Sequence, residues 1–584
     1  VIYEHSGVRL AFTTRISSNN KEDWYMSSGA TSAGSGDAAL FLRKATGLVR
    51  SWSVFDAFIY AFFSINLVTL GLTSISQMYY FSGGLLYGLV VFGILILAEV
   101  VVYAGLIAVM PRAGGDYVWQ SRILGSGLGF VLSVTGWWFI LWLWTPLYGD
   151  ALRRIVIVPI AAITGQTSIW QNFNGDPTFN FIATLITLAF VTGVVVIGMK
   201  RYASFQKWSF WIGNAGLLVV IAMLFSVNQE TFKANFISQS QALFGAGADV
   251  YDRTVALGDA AGAASVLLGG SLNEILLLLP IIAYFLLYPN WGATLYGEVK
   301  GADDFKRNFN GMALAVVTTV GLLILLCLAI ENAMTWKFFV QACAAYWNYT
   351  WGYVTDAPAL PVWPYPALLA AMMTSNSALQ LVIVVAMSFW FFGWAGSMFL
   401  SSTRVIFAAA FDRLLPEAVA SVNENTRTPN WALALMVVPS IPVAYLYAFN
   451  LFNFASLTLA ATLVIGVTFF GTSIAATVMP YTKKELYDAS PIAKYRVLGI
   501  PLLSLMGAIN TVFLGYMLYQ WLLDPDAMFG IGYSINEAGA KNTTSLIFMG
   551  VLYATALVIY IAMRIYRRSK GVNLDNLYRE IPAE

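Results

Sequence analysis

Twelve apolar runs of about 20 residues each partition this chain, and about 20 apolar residues is the length a helix needs to cross the hydrocarbon of a bilayer. Their approximate limits are 54–76, 84–110, 128–149, 178–199, 203–226, 273–298, 311–333, 370–403, 431–449, 454–479, 497–522 and 544–566. Inside lipid every backbone N–H and C=O must be satisfied within the segment, so runs this long read as helices. Only 11% of residues are charged, against roughly a quarter in soluble domains. The expected class is an all-α membrane protein with twelve transmembrane helices.

The basic residues orient it. With the N-terminus inside, the inner segments hold 26 Lys and Arg and the outer ones 6. Cytoplasmic loops carry such an excess, and a miscounted span would scramble the alternation. The expected protein is therefore multi-pass in the cell membrane with both termini cytoplasmic. Residues 1–50 form a polar leader with a Ser/Gly/Ala stretch at 27–39 and no apolar core of a secretion signal. We read it as partly disordered or as a cytoplasmic plug. The outer segments 227–272 and 334–369 are long, and the second is rich in Trp, Tyr and Phe. That segment is either an interfacial aromatic belt or a lid over the outer vestibule.

The sixth run is interrupted. Leu276–Lys300 meets Tyr288-Pro289-Asn290-Trp291-Gly292 partway along and ends at Glu298. Proline removes a donor and clashes with the preceding turn. A broken span is usually the wall of a ligand or ion site, because half-helix ends present their dipoles there. The first run is also polar-interrupted, by Ser64, Asn66 and Thr69, with Gly71 just after. Each of these runs can open a five-span unit. The expected architecture is a five-plus-five inverted repeat, 51–226 and 273–479, with discontinuous first and sixth helices. Two extra C-terminal helices (480–566) and a cytoplasmic tail (567–584) follow.

Other chemistry is thinly represented. The single histidine, His5, lies in the leader, and Cys327 and Cys343 sit in a span and a loop. Neither a metal-ligand spacing nor a nucleophile–base pair is present. We expect no enzyme, no cofactor or metal, and no nucleic-acid partner; the lipid bilayer is the implied one. Glu99, near the middle of the second run, is the clearest deep carboxylate. Intramembrane acids are costly and commonly functional, and Glu99 is a candidate proton carrier; the alternative is a neutral Glu bonded to a neighbouring helix.

After the second run come Met110-Pro111-Arg112-Ala113-Gly114-Gly115-Asp116-Tyr117, then Ser121-Arg122 and Leu124-Gly125. This resembles the amino acid–polyamine–organocation permeases, which carry Pro-Arg-Ala-Gly-Gly-Glu-Tyr there. Gly297-Glu298-Val299-Lys300 and Ser402-Thr403-Arg404 through Asp412 and Pro416 are similar to the family's segments after the sixth and eighth spans, and Thr428-Pro429 opens the ninth as in the family. The resemblance covers roughly 50–566, with the leader and the two long outer segments outside it. It implies a secondary active transporter of amino acids or related small amines and organic solutes, working by alternating access, with proton or sodium coupling or exchange. In that reading Ser64, Asn66, Thr69 and Asn290 meet the substrate's polar end. Tyr284, Tyr288 and Trp291 shape its apolar end. Arg112 and Glu298 belong to the inner gate, and Ser397 and Ser401, with Glu99, are ion-coupling candidates. The family's Gly-x-Gly of the first span is missing, and Tyr288–Trp291 replaces small residues of the sixth. The alternative is a permease fold kept as a structural or sensory subunit without transport.

Overall fold

The computed structural model describes residues 48, 50–81, 83–524, 531, 533–534, 539–540, 542–574 and 578. The leader, apart from 48 and 50, lies outside the described residues. Twelve helices among the described residues are long and apolar enough to cross a membrane. They coincide in order with the twelve apolar runs. Apolar side chains left exposed on the last span, such as Ile547, Val558 and Ile565, suit contact with lipid.

Both interrupted spans begin on the same device. Ser53 caps the first span and Asp56 returns a bond to the cap, with Ser53 N–H donating to Asp56 at 2.7 Å. Ser271 and Glu274 do the same for the sixth. These capping boxes satisfy amides that a helix start leaves bare. Asp56 also receives Lys207 of the fifth span at 2.7 Å.

Both spans break near their middles. Val54–Ile65 ends at Asn66, whose φ of 39° is left-handed, and the chain resumes in a wide turn over Leu67–Gly71. Asparagine is one of the few non-glycine residues that adopts this conformation readily. Leu272–Leu286 stops before Tyr288-Pro289, and a tight 3-10 segment, Trp291–Glu298, completes the span. The break at 287–290 falls where the proline placed it.

Three boundaries differ from the sequence reading. The third span runs from Ser126 to Ile163, 38 residues, so Arg153 and Arg154 lie in the helix rather than in an outer loop. Both fold back onto Asp150, at 2.5 and 2.8 Å, and Arg153 also donates to the carbonyls of Phe173 and Asn174. Paired in this way, the two charges do not end the helix. At about 1.5 Å per residue it is roughly 57 Å long, far more than a bilayer's hydrocarbon. The eighth span, Ser377–Phe411, starts at its Asn376 cap and continues past Arg404, which is thus buried within the helix instead of following it. The two long outer segments are largely helical, at Gln229–Phe244, Val250–Ala260, Trp336–Thr350 and Pro366–Ala371.

Contacts close both ends of the bundle. At the end with the basic loops, Ser51 and Trp52 N–H groups donate to the Glu298 carbonyl, and Trp52 Nε1 donates to Met199 O at 3.0 Å. Gly114 N–H donates to Thr294 O at 2.9 Å. Gly115 has φ +44°, and a Cβ there would meet Thr294 N at 3.0 Å. The paired glycines are what allow this turn to seat on the sixth span. At the opposite end the helix Trp336–Thr350 lies over the first and third spans. Trp347 Nε1 donates to Ser76 at 2.8 Å, Tyr79 donates to Asn348 at 2.9 Å, and Arg154 sits over the rings of Tyr346 and Trp347.

Candidate substrate pocket and gates

The two breaks face a common cavity. It is lined by Ser64 and Leu70 of the first span, Trp144, Leu147 and Tyr148 of the third, Tyr284, Tyr288 and Trp291 of the sixth, and Trp394 and Ser397 of the eighth. Six of the ten are aromatic and none is charged. Tyr148 stacks on Trp394 with centroids 3.7 Å apart, and Trp144 lies parallel to Trp291 at 6.3 Å. Trp291 is the hub. Its indole N–H donates to Ser397 O at 3.3 Å, its carbonyl accepts from Ser401 at 3.0 Å, and its ring meets Trp137 at 4.5 Å. Two buried polar atoms of the wall have no partner, Tyr288 OH and Trp144 Nε1. Buried polar atoms left in this way commonly meet a ligand or a water.

Residues 53–557 match the family described as Amino acid permease. The chain belongs to the amino acid permease family. It is therefore a membrane transporter of amino acids, and not an enzyme. No curated protein matches the chain.

The permease brings together some of the residues singled out in its sequence and separates others. Ser64, Tyr284, Tyr288 and Trp291 line the pocket, and Ser397 joins them. Ser64 donates to Tyr60 O at 2.7 Å. Asn66 does not reach the pocket wall: its Oδ1 accepts from Thr69 N–H at 2.7 Å, so the side chain holds the break itself. Thr69 and Asn290 are buried with orphan polar atoms, Thr69 Oγ1 and both amide atoms of Asn290, and neither lines the cavity. Ser401 lies 2.6 Å from Tyr60 OH, which donates to Ser397 O at 2.6 Å, so these groups tie the first span to the eighth.

Glu298 meets Arg404. The guanidinium holds both carboxylate oxygens, at 2.7 and 3.2 Å, and both residues are buried to 1% exposure or less. The pair clamps the sixth span to the eighth. Arg112 lies partly exposed in the turn below, where Nη1 donates to the Pro111 carbonyl. Asp116, at the head of the helix Asp116–Ile123, is fully buried. It accepts from Tyr103 OH and Thr472 Oγ1 at 2.5 Å each and from Trp137 Nε1 at 3.0 Å. Burial pushes its carboxyl up to about 6, although the bonds from Thr472 and Tyr103 pull the other way. Glu99 is also fully buried, with both oxygens unpartnered.

Sequence reasoning missed Leu70, Trp144, Leu147, Tyr148 and Trp394 as pocket walls, and Asp116 altogether. Aromatic spacing along the third span contained part of the signal. Which face of that helix looks at the breaks was not readable.

Proposed function

We propose that this permease is a secondary active transporter of neutral amino acids with large apolar or aromatic side chains. The supporting observation is the pocket, walled by six aromatic rings and no charge, between the two broken spans. A side chain carrying a full charge would be stripped of water there with no partner, at a cost of several kcal/mol. An apolar one would gain about 25 cal/mol per Å² of surface removed from water. The substrate's ammonium and carboxylate meet the backbone at the breaks, where half-helix ends carry partial charge.

In this reading the cell membrane is crossed by alternating access. The first five and next five spans act as two repeats, and the first and sixth spans rock against the third, fourth, eighth and ninth. The Glu298–Arg404 clamp, and Arg112 in the turn after the second span, belong to the cytoplasmic gate. The helix Trp336–Thr350 is the lid over the outer vestibule. Glu99 belongs to the site that takes up the coupling proton. Ser397 and Ser401 donate to Trp394 O and Trp291 O, tying the sixth and eighth spans, while their oxygens keep lone pairs for a coupling cation.

A thermal-shift screen of the purified protein tests the substrate class. Leucine, phenylalanine, tryptophan and tyrosine should raise the unfolding midpoint by amounts that grow with concentration. Lysine, arginine, glutamate and polyamines should leave it unchanged. Stabilisation by the charged set alone would overturn the assignment.

A further inference from the structure

Glu99 and Asp116 are both at 0% exposure. The hydrogen bonds Asp116 accepts come from neutral groups. Glu99 is near enough for the two charges to repel, and it lies beside Asn510 of the eleventh span, whose Nδ2 donates to Ser473 at 2.8 Å and keeps a second hydrogen towards Glu99. Tyr103, four residues beyond Glu99 on the second span, has its hydroxyl on Asp116 Oδ1 and lies within electrostatic reach of Glu99. The other groups that face the pair are Tyr288, within electrostatic reach of Glu99, and Asn290, beside the Tyr103 hydroxyl. Two buried arginines, Arg404 and Arg122, are engaged elsewhere. Arg404 is on Glu298, and Arg122 is on Asp412 at 2.6 Å. Two buried carboxylates within reach of each other do not both ionise without a cation.

We propose that Glu99 and Asp116 form one proton-binding site, behind the sixth span and apart from the aromatic pocket, with Tyr103 as the link between them. This deepens the transport reading and rests on it only for the consequence in uptake. Proton binding itself does not depend on any substrate.

The hydrogen-bond chemistry says where the proton goes. Trp137 N–H can only donate, so the Oδ2 side of Asp116 must remain an acceptor. Oδ1 faces two hydroxyls, Tyr103 and Thr472, and a hydroxyl can reverse to accept. A proton arriving at Asp116 is therefore placed on Oδ1, and Tyr103 is freed to turn its O–H away. The acceptor waiting for it is the unpartnered Asn290 Oδ1, on the broken part of the sixth span. Loss of the proton reverses the sequence. The otherwise unexplained orphan Oδ1 of Asn290 thus acquires a partner when Asp116 is protonated. The same acid sits directly after the Gly114-Gly115 turn seated on Thr294, so its charge is felt at the closure between the second-to-third turn and the sixth span.

Infrared difference spectra of the purified full chain, recorded across a pH titration, test the site without substrate. The wild type should show a protonated-carboxyl band that disappears as pH rises through about 6. Asp116→Asn should remove that band. Glu99→Gln and Tyr103→Phe should each shift its midpoint, and the Glu99→Gln/Asp116→Asn double variant should show no more loss than Asp116→Asn alone. Thermal stability gives a second readout. The folded acid holds its proton more tightly than the unfolded one, so its stabilising contribution is complete below about pH 4 and is lost as pH rises through about 6. Asp116→Asn should flatten that slope. An unaltered band in Asp116→Asn, or additive effects of the two acids, would overturn the proposal. If Asp116→Asn does not fold, an unshifted band in Tyr103→Phe does so instead. A titrating band without substrate-driven uptake supports the proton site and counts against the transport reading.

Discussion

Arg404→Met should abolish uptake and lower stability by about 3–5 kcal/mol, the cost of leaving a buried carboxylate without its cation. Glu298 is at 1% exposure and Arg404 at 0%, so water cannot stand in for either partner. The damage should be asymmetric. Glu298→Gln strands the guanidinium, and Arg404→Met strands the acid. The double variant Glu298→Gln/Arg404→Met strands neither and should recover most of the lost stability, because replacing both members of a buried pair is often neutral. It should not recover transport if the pair is the cytoplasmic clamp, since the sixth span then loses its directional tie to the eighth. Chemical unfolding in detergent and uptake into vesicles measure the two effects separately. Equal unfolding midpoints for Arg404→Met and the wild type would remove the clamp from the account.

The second large effect is expected at Trp291→Ala. This ring touches Trp137, Trp144 and Tyr288, bonds the eighth span through its indole N–H, and walls the pocket. Truncating a buried Trp costs about 3–5 kcal/mol in stability. Substrate binding should weaken at least tenfold, which is about 1.4 kcal/mol. Trp291→Phe keeps a ring but not the bond to Ser397 O, so it should cost only about 1 kcal/mol and retain measurable binding. Titration calorimetry on the two variants separates ring from bond. Equal affinities for Trp291→Ala and the wild type would place the substrate elsewhere.

The sequence made the spans and both breaks legible for a plain physical reason. A lipid-crossing helix has to be apolar for about 20 residues, and Asn66 and Pro289 are residues that interrupt such a helix. Boundaries failed where a charge was compensated out of sight. Arg153 and Arg154 look like a loop in one dimension, but Asp150 lies one turn back and neutralises them inside the helix. Arg404 looks like the residue after a span until Glu298, 106 positions earlier, is seen beside it. The pocket was half legible. Tyr284, Tyr288 and Trp291 follow from their place at a break, whereas Tyr148 and Trp394 face it only because the third and eighth spans pack as they do. Asn66 shows a second use of a polar residue at a break. A polar side chain at a break suggested a substrate ligand, yet it serves the backbone, accepting from Thr69 N–H. Asp116 was hidden in a turn motif, and only burial and three donors reveal it as an acid without a cation.

Counterflow is the direct test of transport. Vesicles holding the purified permease and loaded with unlabelled phenylalanine or leucine should take up labelled amino acid of the same kind transiently above equilibrium. The uptake should be lost in Trp291→Ala and be unaffected by competing lysine or glutamate. An absence of counterflow for every neutral amino acid, from protein that remains folded, would contradict it and leave the fold as that of a subunit which does not transport.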